Sequence, residues 1–256
     1  MPADERSPTS RRVTGWRPDS DVTLDAAADA LAVGEVTVEG RLPWSSNLTF
    51  LVQVEADGCG ELLAVYKPGN GERTLWDFPD QLYRREVAAY ALSEALGWAL
   101  VPPTVERVDL PFGPGSLQLF VDVDYAQHYF TLLDEGACEP VLETVCAFDI
   151  VANNADRKSG HVLLGPGGRI WAIDHGLCFH RQHKLRTVIW DFAGCEVPAR
   201  VREDLAASRS SLPEVLEGLL EPDEIKAVDS RIGALLHRGL FPEPVGDRPP
   251  YPWPLV

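Results

Sequence analysis

The spacing of hydrophobic and polar positions changes along the chain, and the changes divide it in two. Leu24 to Val33 (LDAAADALAV) is apolar and Ala-rich, with Asp21 or Thr23 ahead of it as a cap, which predicts a short helix. Glu35 to Leu42, Leu48 to Glu55 and Glu61 to Tyr66 then carry Val, Leu and Phe in partial alternation. Turn-forming clusters separate them, Pro43-Trp44-Ser45-Ser46-Asn47 and Asp57-Gly58-Cys59-Gly60, so the segment reads as a three-stranded antiparallel meander. A loop rich in Gly and Asp, Pro68 to Asp80, leads into Leu82 to Leu96, whose apolar residues recur at helical spacing and stop before Gly97. Pro102-Pro103 prevents any continuation. Thr104 to Leu110 and Ser116 to Val123 form a further strand pair around Pro111 to Gly115.

After Val123 the pattern turns mostly helical. Glu139 to Val151, Arg202 to Leu220 (broken near Pro213) and Asp223 to Leu240 have helical periodicity, and one hairpin interrupts them: His161 to Leu164, Gly165-Pro166-Gly167-Gly168, then Arg169 to Ile173. The Pro-rich stretch from Phe241 to Val256 is expected to run over the surface. The pattern predicts an α+β chain with a disordered arm at 1–20, a β-rich N-lobe at 21–122 and a mostly helical C-lobe at 123–256.

Composition narrows the partners. Acidic side chains outnumber basic ones, 39 to 23, for a formal charge of -16. That field repels phosphate backbones and anionic bilayers, so nucleic acid and stable membrane insertion are not expected. The five cysteines are widely spaced with no CxxC pair, which reads as reduced thiols in a cytoplasmic protein.

The stretch Phe148 to Gly176 (FDIVANNADRKSGHVLLGPGGRIWAIDHG) carries the chemistry. A four-residue turn would set Leu164 opposite Arg169 and His161 near Ala172, gathering Asp156, His161 and Asp174 at one end of two short strands. Phosphoryl transfer uses such a pair of carboxylates, one orienting an acceptor hydroxyl and the other holding Mg²⁺ against phosphate oxygens. Upstream, Lys67 ends the third strand and can reach nucleotide phosphates as a point charge, and Glu86 on the following helix is placed to pair with it. Ser45, Ser46 and Asn47 offer N–H and hydroxyl donors to phosphate. Leu117 to Val123 joins the two halves, so the backbone of Phe120 and Val121 is placed to meet a base. No Walker A or G-x-S-x-G motif is present, and Gly69-Asn70-Gly71 does not open a helix directly after its strand.

These residues resemble the phosphatidylinositol 3-/4-kinase and HipA-type branch of the kinase superfamily. Asp156-Arg157 is similar to that branch's D-R-x-x-x-N catalytic loop, and Ile173-Asp174-His175-Gly176 to its I-D-x-G metal loop. The resemblance implies a bilobal protein-kinase-like fold that uses ATP with Mg²⁺ or Mn²⁺. It implies a catalytic segment at Asp156, Arg157 and Lys158, in which Asp156 handles the acceptor hydroxyl, and metal ligands at Asp174 and His161. The chain departs from the pattern at two positions: His161 stands where the family has a metal-binding Asn, and Lys158 where lipid kinases commonly carry His. The expected acceptor is a hydroxyl of a protein or small molecule. Two alternatives stand beside this, an inactive nucleotide-binding interaction module and a nucleotidyl transferase on the same fold. The basic run Cys178 to Arg186 occupies the place of an activation segment and would bind an anionic group, or, through Cys178, His180 and His183, zinc.

Overall fold

The structure is a computed structural model, and the residues described are 15–43, 47–136, 138–244 and 250–256. Ser45, Ser46 and most of the N-terminal arm lie outside them. The first half forms α1 (Leu24–Val33), capped by the Thr23 hydroxyl accepting from Ala26 N–H, then β1 (Glu35–Arg41), β2 (Phe50–Ala56), β3 (Gly60–Pro68), α2 (Tyr83–Ala95), β4 (Thr104–Arg107) and β5 (Gly115–Leu119). The strands make one antiparallel sheet in the order β1-β2-β3-β5-β4. Alternation along β3 decides its two faces. Leu62, Ala64 and Tyr66 point into a core that also takes Ala27 and Leu31 of α1, and Val65 and Lys67 face the opposite side. Only glycine fits at position 115, where a Cβ would lie 2.4 Å from the Lys67 carbonyl oxygen, so Gly115 lets β5 close against the Lys67 end of β3.

The second half contains β6 (Asp124–His128), α3 (Tyr129–Glu135), α4 (Glu139–Ala152), β7 (Val162–Leu164), β8 (Ile170–Ala172), α5 (Ala199–Ser208), α6 (Leu212–Leu216) and α7 (Pro222–Arg238). Helix α4 is apolar nearly all round and is buried accordingly, at the centre of a larger core with α7. Ala88, Ala89 and Leu92 of α2 join that core rather than the sheet's, so α2 is the element that links the two halves. Trp171 of β8 makes the reverse crossing. It is 1% exposed, packs in the sheet's core, and meets the Trp16 ring edge-on at 6.2 Å. Truncating such a side chain to Ala costs about 3–5 kcal/mol.

Two expectations are corrected here. The hairpin pairs Leu164 with Ile170, not Arg169, because the turn takes five residues, closed by Gly165 N–H on the Arg169 carbonyl with Gly167 and Gly168 left-handed. The short strand β6 was not expected; its sequence Asp-Tyr-Ala-Gln-His has no apolar alternation, and backbone pairing to β7 makes it a strand. The described residues of the Pro-rich terminus run over the surface, with Tyr251, Trp253, Leu255 and Val256 exposed.

Candidate active site

Between the sheet and the helical half lies a cavity of about 570 Å³, bordered by Lys67, Glu86, Asp156, Lys158, His161 and Asp174. A second cavity of about 250 Å³ adjoins it under the sheet, sharing Lys67, His161 and Asp174 and continuing to Gln118, Phe120 and Val121. The first mixes charged side chains with apolar ones and the second is mostly apolar, a division that suits a nucleotide's phosphates and base.

Lys67 is the pivot. Its ammonium bonds Glu86 Oε1 and lies 3.0 Å from Asp174 Oδ1. Burial opposes the charge, but Asp174 and Glu86 together more than offset it and hold Lys67 protonated. In return, Lys67 keeps the Asp174 carboxyl far below the usual carboxylate range, against its own desolvation. Glu86 is fixed from both ends, because its Oε2 accepts the His175 N–H at 2.9 Å. The helix that carries it is anchored by two further contacts. The carboxylate of Glu72 accepts from the N–H groups of Leu82 (2.8 Å) and Tyr83 (2.7 Å), capping α2 from a distance. Buried Arg85 binds the Cys178 carbonyl and, at 2.5 Å, Glu224 of α7. Asp174 itself sits in left-handed backbone (φ 61°), a conformation a non-glycine residue adopts only when its surroundings enforce it.

Asp156 faces the same cavity from the loop after α4. Lys158 Nζ holds its Oδ2 at 2.7 Å, and its N–H is fixed by Asn154 Oδ1 at 3.0 Å. Burial raises the Asp156 carboxyl pKa, with Lys158 pulling in the other direction. His161 is neutral, its pKa pushed down to about 4 by burial. Its Nδ1 accepts from Lys158 N–H at 3.4 Å, so the ring proton sits on Nε2, 3.4 Å from Asp174 Oδ2. The structure thus sets His161 beside Asp174 in the cavity wall, where both were expected as metal ligands. Asp174 still suits Mg²⁺ or Mn²⁺, which take one or two carboxylates and complete their shells with phosphate and water oxygens.

Arg157, placed beside Asp156 in the expected catalytic segment, does not border the cavity. Its guanidinium is fully enclosed, bonding Asp149 at 2.9 Å, the Ile173 carbonyl at 2.8 Å, the His161 carbonyl at 3.2 Å and His175 Nε2 at 2.8 Å. Arg157 faces inward and ties the Asp156 loop to the segment that carries Asp174. Asp149 also accepts from Thr187 Oγ1 (3.0 Å) and Asn154 Nδ2 (3.1 Å). Sequence reading missed Asp149, although a carboxylate inside Phe148-Asp149-Ile150-Val151 is a signal in itself: a buried charge must be paired.

The other expected positions divide. Asn47 borders the cavity, and its Oδ1 accepts from Arg73 N–H at 3.1 Å. Phe120 lines the apolar cavity, but its N–H donates to Leu63 O (2.9 Å) and its carbonyl accepts from Trp16 N–H (2.7 Å). Val121 N–H and C=O have no protein partner among the described residues. In the basic segment, Lys184 is paired with Asp77 at 2.7 Å and Asn153 binds the carbonyls of His180 and Gln182. Cys178 is fully buried, its thiol pushed well up by desolvation, and no group of three or more potential metal ligands occurs among the described residues, which leaves zinc without a site. The terminal residues return to the cleft. Ser159 N–H donates to Leu255 O at 2.8 Å, and Pro254 and Val256 form part of the cavity wall.

No family model matches the chain. Protein Rv2133c of Mycobacterium tuberculosis (strain ATCC 25618 / H37Rv) is 39% identical to it over 264 residues, covering 88% of this chain and 93% of that protein. The chain belongs to the Rv2133c family. Phosphatidylinositol 4-kinase gamma 2 of Arabidopsis thaliana is 28% identical over 226 residues, which span 65% of this chain but 38% of that protein. Among solved structures, hydra Fam20 with sugar superposes with a TM-score of 0.60 at 16% identity, covering 86% of this chain and 90% of that one. The Golgi casein kinase with Mn/ADP bound does so at 0.55 and 14%, covering 84% and 74%. At such identities the likeness establishes the fold, and this member of the Rv2133c family has the α+β, bilobal protein-kinase-like one. No helix among the described residues is long and apolar enough to cross a membrane.

Proposed function

We propose that the chain is an ATP-dependent phosphotransferase of the lipid-kinase-like and HipA-like branch, acting on a hydroxyl of a protein or small molecule. The observation that carries this reading is Lys67, bound to Glu86 and 3.0 Å from Asp174, in one cavity with Asp156. Similarity to a phosphatidylinositol 4-kinase supports it, as does a fold shared with a casein kinase that binds Mn/ADP.

In this reading Lys67 grips the nucleotide phosphates, and Glu86 fixes its reach. Asp174 would hold Mg²⁺ or Mn²⁺, with His161 beside it; the bound ion would neutralise charge on the phosphate oxygens. Asp156 accepts the acceptor's hydroxyl proton as that oxygen bonds to the γ-phosphorus and the bond to the ADP oxygen breaks. Its raised pKa favours this, since a base works best with a pKa nearer the operating pH. Lys158, beside the same carboxylate, holds it in place.

Incubation with γ-labelled ATP and Mg²⁺ or Mn²⁺ tests the reading. ADP release or autophosphorylation by the wild type, lost in Asp156→Ala and Asp174→Ala, is the expected result; undiminished activity in both variants sinks it. His161, standing where the family has a metal-binding Asn, favours one second reading, a nucleotide-binding module without turnover. Metal-dependent thermal stabilisation by ATP with no ADP formed would select it.

A further inference from the structure

The apolar end of the cleft contains an open acceptor whose orientation the fold dictates. Gln118 on β5 is in register with Thr104 on β4 and is 7% exposed. The Thr104 hydroxyl donates its single proton to the Pro102 carbonyl at 2.7 Å, so towards Gln118 its oxygen can only accept. The amide must turn its NH₂ to Thr104, and Nε2 donates there at 2.9 Å. A flipped amide would set oxygen against oxygen at that distance. Gln118 Oε1 is left with no protein partner among the described residues, and it is not among the sealed, unsatisfied buried atoms. Its residue borders the apolar cavity beside Val65 and Val121. Val121, whose N–H and C=O have no protein partner among the described residues, lines the same cavity.

We infer that Gln118, locked by Thr104, is a specificity-determining residue that selects a 6-amino purine nucleotide over a 6-oxo purine nucleotide. The inference rests on the nucleotide reading of the cleft. A 6-amino group supplies the N–H that Oε1 lacks. A 6-oxo group faces Oε1 with a second acceptor, and in a site closed to water both oxygens are left unpaired. The lock is essential, because a free amide would rotate and donate its NH₂ to the oxo group.

The test is calorimetric titration with ADP and with GDP, each with Mn²⁺, of wild type, Thr104→Val and Gln118→Met. Wild type is expected to bind ADP about tenfold or more tightly than GDP. Thr104→Val frees the amide and brings the two affinities within about threefold; Gln118→Met removes the acceptor and shrinks the ratio by weakening ADP. Should Thr104→Val fail to fold, Gln118→Met decides alone. Equal affinity of wild type for ADP and GDP, or an unchanged ratio in the variants, overturns the inference and leaves the cleft a nucleotide site. Binding of neither nucleotide overturns both.

Discussion

Asp156 and Arg157 follow one another in the chain, but their side chains enter different surroundings. The Asp156 side chain is 29% exposed in the cleft, in contact with Lys158. Arg157 is sealed, paired with an equally sealed Asp149, and every bond it makes goes to another part of the protein. The same contrast separates the Arg157 cluster from Lys67, Glu86 and Asp174, where half of the Asp174 side chain stays open. A D-R motif therefore combines two placements: its carboxylate faces the cleft, and its guanidinium ties two loops together. Solvent access and the destination of each polar atom tell the two apart where residue type does not.

The largest effect is expected from breaking the sealed cluster. Arg157→Ala leaves Asp149 charged and unpaired in the interior, which should cost about 3–5 kcal/mol of stability, read from denaturant unfolding. Asp174→Asn should do the opposite. It is expected to lower phosphoryl transfer by about 10²–10³-fold while the unfolding midpoint stays close to wild type. Stability loss without activity loss at Asp174 would contradict the division.

A double-mutant cycle sharpens it further. Asp149→Leu with Arg157→Met is expected to return a coupling of about 2 kcal/mol in stability. Lys67→Met with Asp174→Asn should return less than about 1 kcal/mol, because solvent screens the half-open carboxylate.

The smallest expected effect is a shift in pH profile. Asp156 acts as a base only when ionised, so transfer falls as pH drops through its pKa, which burial raises and Lys158 lowers. Lys158→Met removes the lowering partner, and the acid limb of the rate profile should move to higher pH. An acid limb that stays in place would show that Asp156 is not the titrating base.

The sequence carried the fold through features that act locally. Alternation in β2 and β3, the turn clusters between them and the helical spacing of α2 were all legible, and they suffice to place Lys67 and Glu86 on neighbouring elements. What escaped depends on distant partners. Strand β6 exists because β7 supplies its hydrogen bonds. Arg157 looked catalytic because its motif places it beside Asp156, and only folding shows that α4 delivers Asp149 to meet it. The one-residue error in the β7–β8 register came from counting the turn as four residues where the left-handed glycines support five. His161 could be placed near Asp174 from sequence, but the Lys158 N–H that its Nδ1 accepts could not. The return of Leu255 to Ser159 left no periodic signal at all.

The central claim is that Asp156 performs chemistry while the groups around it bind and position. Asp156→Asn keeps the shape and the contact surface of the side chain and removes its basicity. Nucleotide affinity in the presence of Mn²⁺ and the rate of phosphoryl transfer from ATP should be measured on the same preparation of this variant and of wild type. The expected result is affinity within about threefold of wild type and transfer reduced by about a hundredfold or more. Transfer at the wild-type rate, with affinity retained, would contradict the account.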